Sequence, residues 1–190
     1  MRRIPLVLAM LAVGLAGCAA PALRTYVLGT PAPATAGPAV ETLPARVIEL
    51  RPVLLLPEHL DTRAILRRAG PAELVASRNG RWADRLSVGI REALAVDLQA
   101  RLPQAAVVMA PPFPPDVERI SVTVTGFDLD AAGTLTLDAD WTVERTRPPA
   151  LPGRRRARFV VRSVPGGDAA EVAAMSGLVE QLAAAMAPDL

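Results

Sequence analysis

Residues 120–143, ISVTVTGFDLDAAGTLTLDADWTV, alternate between apolar and polar side chains along two runs. Alternation of period two is typical of strands that bury one face. Gly126 shifts the apolar phase of the first run, which predicts a β-bulge there. Residues 131–133 connect the runs, so the stretch predicts an antiparallel hairpin with one face in the core. Asp138 and Asp140 fall on the other face, which we expect to be solvated.

Shorter apolar runs on both sides of this hairpin predict the rest of a sheet. Pro52 interrupts one of them, which predicts a bulge or an edge, because proline cannot donate to a ladder. The Pro- and Ala-rich residues 30–44 and residues 148–153 are predicted loops. The predicted strands are residues 24–28, 46–56, 64–68, 73–77, 105–109 and 156–162.

The clearer of two predicted helices follows these early strands. It begins near Arg81 or Trp82, with Asn79 as its cap, and ends at Leu102 before Pro103. Leucine and isoleucine recur at intervals of four along it, which produces one apolar face.

The second predicted helix begins at Asp168, which forms a capping pair with Glu171. We expect its apolar stripe to pack on the domain's own sheet. The order of elements predicts an α+β fold: a single domain with a mixed, mostly antiparallel β-sheet and two amphipathic helices packed on one face. The stripe consists of Val172, Met175, Val179, Leu182 and Met186.

The N-terminus has the features of a bacterial secretion signal: two arginines, a short apolar run and small residues before a cysteine. The apolar run is shorter than the ~20 residues of a membrane-spanning helix. Leu15-Ala16-Gly17-Cys18 resembles the bacterial lipobox, in which the cysteine thiolate is the nucleophile that accepts the lipid. We therefore assign residues 1–17 to a lipoprotein signal peptide, 18–23 to a lipid anchor and tether, and 24–190 to the folded domain.

Cys18 is the single cysteine of the chain, so no disulfide and no thiolate metal cluster can form within one molecule. The lipobox implies two acyl chains on the thiol, cleavage before Cys18 and a third chain on the new amino terminus. Stable attachment needs more than one chain. In Gram-negative lipoproteins an aspartate after the cysteine usually signals retention in the inner membrane. Ala19 and Ala20 follow here, so we expect an outer-membrane lipoprotein that faces the periplasm.

The charge of the mature chain argues against a nucleic-acid partner. The sequence contains 21 basic residues, all of them arginine, and 19 acidic residues. Arg2 and Arg3 leave with the signal peptide, so the remaining chain is nearly neutral. A nucleic-acid-binding domain needs a cationic face and usually stacking aromatic side chains.

Residue types suited to catalysis are sparse. His59 is the single histidine, and a triad that includes Asp61 is formally possible, but no Gly-x-Ser-x-Gly motif is present. One histidine and scattered carboxylates lack the spacing of a metal site. We therefore expect no enzymatic activity, no metal and no cofactor.

Arg154, Arg155, Arg156 and Arg158 form one basic cluster near the last predicted strand. Such a cluster can bind lipid headgroups or an acidic partner. Alternatively, it is the solvated edge of a sheet that uses charge against edge-to-edge aggregation. Both interpretations remain open, and the first makes these four residues the candidate partner-binding set.

Several of these segments together resemble the PqiC-type ABC transport auxiliary lipoproteins. The resemblance includes Cys18, the early strand around Tyr26, the turn at residues 57–61 and the predicted helix start at residues 79–86. It covers nearly the whole mature chain. His59 departs from the pattern, because relatives commonly carry tyrosine there.

The resemblance implies a non-enzymatic outer-membrane lipoprotein of an intermembrane lipid transport system. In such a system a mammalian-cell-entry (MCE) domain protein forms a tunnel across the periplasm and an ABC transporter powers it. The lipoprotein would dock the tunnel's outer end. Homo-oligomerisation is a further expectation from the family. The alternative is a periplasm-facing envelope-assembly or structural lipoprotein, either for lipopolysaccharide assembly or linked to peptidoglycan. A lipid hydrolase that depends on His59 is a third, weaker alternative.

Overall fold

The computed structural model describes residues 22–29, 44, 46–145, 153–162 and 166–190. The predicted signal peptide, Cys18 and most of the two predicted loops lie outside these residues. The described elements are β1 (Arg24–Tyr26), β2 (Arg46–Leu50), β3 (Leu54–Leu55), β4 (Ala64–Gly70), β5 (Glu73–Trp82), α1 (Leu86–Arg101), β6 (Ala105–Val108), β7 (Glu118–Leu129), β8 (Thr134–Glu144), β9 (Arg154–Arg162) and α2 (Asp168–Met186).

The predicted hairpin is the centre of the sheet. β7 and β8 pair antiparallel from Arg119 opposite Glu144 to Leu129 opposite Leu135. The register shifts between Val124 and Gly126, which confirms the bulge predicted from the change of apolar phase. β9 extends the ladder antiparallel along the other edge of β8.

The second edge of β7 is shared by three shorter strands. β2, β3 and β4 pair with it in succession, all parallel. β2 then pairs parallel with β6, while β4 pairs antiparallel with β5, which pairs parallel with β1. The sheet is therefore mixed with its longest ladders antiparallel, as predicted. Pro52 separates β2 from β3, because proline has no N–H to offer the ladder.

Both helices cover one face of this sheet. They contact each other, α1 contacts β6, and α2 contacts β8 and β9. The predicted apolar stripe of α2 is buried against the sheet, which confirms that it belongs to the domain's own core. Neither helix is long and apolar enough, within the described residues, to cross a bilayer. Core residues without exposed surface include Ile48, Leu50, Ile90, Leu94, Leu98, Ile120, Leu135, Leu137, Leu178 and Leu182.

The domain has two distinct ends. The hairpin end contains residues 22–24, the β7–β8 turn at residues 130–133 and the start of α2. The far end contains the start of β7 and the residues that follow α2. There the Trp141 indole N–H donates to Asp189 Oδ2 at 3.0 Å, and Arg46 pairs with Glu118 at 2.9 Å. The chain therefore enters the described domain at one end and finishes at the other.

The predicted start of α1 is wrong by about one turn. The helix begins at Leu86, and Trp82 is instead the buried last residue of β5. Asn79 does not cap the helix. The cap comes from the turn before β4, where Asp61 Oδ1 accepts the Ser87 N–H at 3.0 Å. A cap supplied from 26 residues away leaves no signature near the helix start.

Alanine substitutions distinguish the cap seen in the structure, Asp61, from the cap predicted from the sequence, Asn79. We expect Asp61→Ala to cost about 1 kcal/mol of unfolding free energy, because it removes the acceptor of a helix N–H. Asn79→Ala is the matched control and should stay within about 0.5 kcal/mol of the parent. Urea unfolding followed by circular dichroism measures both. A larger loss for Asn79→Ala than for Asp61→Ala would contradict the tertiary cap.

Candidate functional site

A polar cleft of about 750 Å³ opens at the hairpin end. β1, β4 and β5 line it on one side and the start of α2 lines it on the other. The cleft therefore lies where the sheet, the second helix and the incoming chain meet. The charged and aromatic side chains that line it are Arg24, Tyr26, Arg67, Arg78, Asp168 and Glu171.

Arg67 joins the sheet to α2 across this cleft. Its Nε donates to Glu171 Oε2 at 2.7 Å, and its Nη2 donates to Asp168 Oδ1. The Ser77 hydroxyl donates to the second oxygen of Asp168 at 2.7 Å. The predicted capping pair is therefore wrong, because the N-cap is Gly167 and both carboxylates bind partners on the sheet.

A glycine makes room for this network. The irregular part of β5 turns the backbone N–H groups of Asn79 and Gly80 toward Ser77 Oγ, at 3.3 and 3.1 Å. A Cβ on Gly80 would overlap the carboxylate of Asp168 and lie 3.0 Å from the Tyr26 ring. The absence of a side chain at Gly80 thus leaves the space that the Asp168 carboxylate occupies.

Glu171 is the most enclosed carboxylate of the cleft, with 2% of its surface exposed. Burial raises the pKa of Glu171 above its usual value, because the charged form loses hydration, and Arg67 acts in the opposite direction. Arg67 is the charge that compensates the buried carboxylate. The polar groups of the cleft floor are thus engaged with one another.

Among the described residues, the cleft contains no serine paired with a histidine base, the arrangement typical of nucleophilic catalysis. Ser77 donates directly to Asp168, a weak base that is already paired with Arg67, whereas an activated serine needs a base able to take its proton. His59 is exposed in the turn Glu58–Leu60, and Asp61 accepts a helix N–H instead of orienting the imidazole. The described residues contain no group of three or more potential metal ligands. The arrangement is suited to binding or to structure.

The candidate arginines lie on β9, at the opposite edge of the sheet from β1. Arg156 stands opposite Asp140 and pairs with it at 2.6 Å, and Arg154 reaches the same carboxylate at 2.9 Å. Arg158 pairs with Asp138 at 2.6 Å. Arg154, Arg156 and Arg158 lie on the face of the sheet away from the helices.

Arg155 is separated from the other three arginines. Strand alternation points it toward the helix side, where it pairs with Asp189 at 3.3 Å. The cluster that was continuous in sequence is therefore divided between two faces, with each guanidinium within ion-pair distance of a carboxylate. Whether it binds a partner stays a prediction.

The expectation of a solvated polar face is wrong for Asp140. Its relative exposure is 3%, because the side chains of Arg154 and Arg156 lie across it while remaining largely exposed themselves. Hydrogen bonds from Arg156 and then Arg154 lower the pKa of Asp140 to about 2. Alternating acids on one predicted strand and arginines on another are the signal that could have indicated this ladder.

A second surface feature had no sequence signal. Val88 on α1 and Met109 after β6 are exposed beside Pro52 and line a shallow groove of about 330 Å³. Arg91 closes one side by donating to the backbone oxygens of Leu50 and Met109, at 3.0 and 2.7 Å. Periodicity could not separate these exposed apolar residues from core residues.

The architecture defines a class of protein: an α+β domain with two helices on one face of a mixed sheet. A crystal structure of an uncharacterized protein shares it with a TM-score of 0.72 and 20% identity, covering 88% of this chain and 98% of that one. Protein XCC0632 from Xanthomonas campestris, of family DUF330, does so with a TM-score of 0.62 and 16% identity, covering 88% and 91%. At these identities the likeness concerns the fold alone. No curated protein matches the chain.

The chain belongs to the family of ABC-type transport auxiliary lipoprotein components, whose family model matches residues 26–187. The match extends from Tyr26 in β1 to the residue after α2, so it includes the Arg67 network, the β9 ladder and the cleft lining other than Ala22 and Arg24. It confirms the family resemblance stated from the sequence.

The Arg67 network predicts that a single methyl group at Gly80 is costly. We expect Gly80→Ala to lower the unfolding free energy by about 1–3 kcal/mol, because Asp168 must move away from its partners. Gly177→Ala is the matched control, since nothing lies within 4 Å of its added Cβ. Alanine in a helix interior should there stabilise by up to about 1 kcal/mol. Equal effects of the two substitutions in urea unfolding would contradict the network.

The ion pairs of Asp140 predict a defined loss of stability in acid. The folded pKa of about 2 is below the unfolded value of ~3.9. The contribution of Asp140 is therefore fully present above about pH 4 and is lost as the pH falls toward about 2. We expect Asp140→Asn to destabilise at pH 5 and to differ progressively less from the parent down to pH 2. Urea midpoints across this range measure it, with the exposed Asp116→Asn as control. A constant difference would contradict the assignment.

Proposed function

We propose that this protein is a non-enzymatic outer-membrane lipoprotein subunit of an MCE/ABC-type intermembrane lipid transport system, which docks the periplasmic tunnel to the outer membrane. The observation that carries the proposal is the family match over residues 26–187. The lipobox ending at Cys18 lies just before the matched region, as expected of an anchored auxiliary component.

Localisation at the outer membrane is supported by the residues after the anchor. Ala19 and Ala20 follow Cys18 where an inner-membrane lipoprotein usually carries aspartate. Homo-oligomerisation is included in the proposal on the family resemblance alone. The partners are the MCE-domain protein and its ABC transporter or membrane components.

A binding role is favoured over catalysis by the groups that the described residues bring together. The cleft carboxylates bind Arg67, and Asp168 also accepts from Ser77. Under this proposal His59 has no chemical role, and His59→Ala should leave complementation of a deletion strain unchanged. Loss of complementation with normal protein levels would favour the hydrolase alternative.

The arginines of β9 remain the candidate partner-binding set. Arg154 and Arg155 lie toward the far end, opposite Thr142 and Trp141 of β8, whereas the predicted anchor precedes the hairpin end. A partner that approaches from the periplasm would meet the far end first. Exposed guanidinium groups held by carboxylates are already oriented for a second acidic group.

In-cell crosslinking of the tagged lipoprotein, followed by purification and mass spectrometry, tests the proposal. We expect an MCE-domain protein among the attached proteins, and we expect Cys18→Ser to lose it or to mislocalise. Recovery of lipopolysaccharide-assembly or peptidoglycan components instead, with no MCE-domain protein, would overturn the proposal in favour of the envelope-assembly alternative.

The arginine set needs a variant that leaves no buried charge without its partner. Arg154→Gln, Arg156→Gln and Asp140→Asn made together remove both cations and the carboxylate beneath them. The matched control is Arg68→Gln with Asp128→Asn, an ion pair of 2.6 Å on the same face of the sheet. We expect the triple variant, and not the control, to reduce the MCE crosslink several-fold. Equal yields would dismiss the partner-binding role of these arginines.

A further inference from the structure

Two large aliphatic side chains stand in solvent at the edge of the sheet nearest the predicted anchor. Leu23 is 52% exposed and Val27 is 62% exposed, and they flank β1 on either side. Period-two alternation places both on the same face as Thr25, which is also exposed. Among the described residues β1 pairs with β5 on one side and has no strand on the other. This face is called here the β1 surface.

The β1 surface is bordered by positive charge at its Leu23 end. Arg81 stands opposite Thr25 in the parallel register, and Arg24 and Arg78 line the adjoining cleft. In the part of the chain that the structure describes, none of the three lies within ion-pair distance of a carboxylate. The nearby carboxylates of the cleft are already bound to Arg67. The Leu23 end of the β1 surface therefore has an excess of cations, whereas Val27 lines two shallow depressions together with the acidic residues Asp84, Glu92, Asp97 and Glu180.

The tether decides which end of the domain can reach a membrane. Ala22, the first described residue, follows Cys18 by four positions, and such a segment spans at most about 14 Å when fully extended. β7, with 12 residues, is about 40 Å long at roughly 3.3 Å per residue. An acyl chain on Cys18 thus holds the hairpin end near the lipid headgroups and leaves the far end beyond contact.

We propose that the β1 surface binds a phospholipid bilayer with anionic headgroups, with Leu23 and Val27 entering the interface while Arg24, Arg78 and Arg81 bind lipid phosphates. Aliphatic side chains and cations are the two components by which a protein surface attaches to a bilayer. Guanidinium groups suit phosphate because they donate two parallel hydrogen bonds. The inference rests on acylation of Cys18, which belongs to the proposed function.

A second copy of this chain suits the β1 surface less well. β1 has three residues, whereas a stable interface buries upwards of about 1,000 Å². A bilayer supplies both the apolar layer and the opposite charge.

Depth-dependent fluorescence in vesicles tests the proposal on the acylated full-length lipoprotein. Leu23, Val27 and Val96 are replaced by cysteine one at a time and labelled with a polarity-sensitive dye, while Cys18 is blocked by its lipid. Val96 is the matched control, an aliphatic residue on α1 that is 41% exposed. In vesicles of phosphatidylcholine with phosphatidylglycerol, the dyes at positions 23 and 27 should shift to the blue and be quenched by nitroxide lipids. The dye at position 96 should do neither.

A charge variant tests the electrostatic half of the proposal. Arg24→Gln, Arg78→Gln and Arg81→Gln made together should reduce quenching at position 23 to the level found in vesicles of phosphatidylcholine alone. Raised salt should reduce it in the parent protein in the same way, because headgroup attraction is screened. Unchanged thermal unfolding of the variant would show that the effect arises at the lipid surface.

Three results would overturn the proposal. They are absence of acyl chains on Cys18 by mass spectrometry, equal quenching at positions 23, 27 and 96, and crosslinking between copies through position 23 without quenching by lipid. The last would assign the β1 surface to self-association. None of these readouts uses the transport partner, so a lipoprotein that captures an MCE-domain protein without quenching would retain the proposed function and lose this inference.

Discussion

The antiparallel ladder between β7 and β8 is the constraint on which the rest of the fold depends. It is the longest pairing in the described sheet, and its apolar face is buried. α2 packs on β8 and β9, while α1 contacts α2 and β6. β9 extends one edge of the ladder, and β2, β3 and β4 share the other. A shift of one residue would turn the core face toward solvent, so the period-two pattern specifies the register.

Charged groups connect the elements around this apolar centre. Arg67 joins β4 to the start of α2, where the buried Glu171 carboxylate would be costly without a cation. Asp61 caps α1 from a distant turn, and Arg154 and Arg156 cover Asp140 on the outer face. Each contact joins segments far apart in sequence. Such bonds add specificity to the arrangement that apolar burial stabilises.

Membership of a transport auxiliary lipoprotein family agrees with a domain whose polar side chains are committed to one another. The cleft contains a serine and two carboxylates, whose partners are Arg67, backbone N–H groups and one another. Two surfaces are exposed, unlike the internally paired cleft. They are the aliphatic residues near the predicted tether and the guanidinium groups on an edge strand. The proposed anchoring and docking roles rest on these surfaces.

The sequence by itself determined the α+β class, the central hairpin with its bulge at Gly126, the apolar stripe of α2 and the family, because these follow from local periodicity and motifs. Tertiary structure alone decided the start of α1, the burial of Asp140 and the partners of Asp168. Caps and ion pairs depend on which segments meet in space. Asn79-Gly80 locally predicted a cap for α1, but the distant residue Asp61 supplies that cap instead. The exposure of Leu23 and Val27 likewise could not be predicted from the sequence, because hydrophobic periodicity does not show which apolar residues remain uncovered.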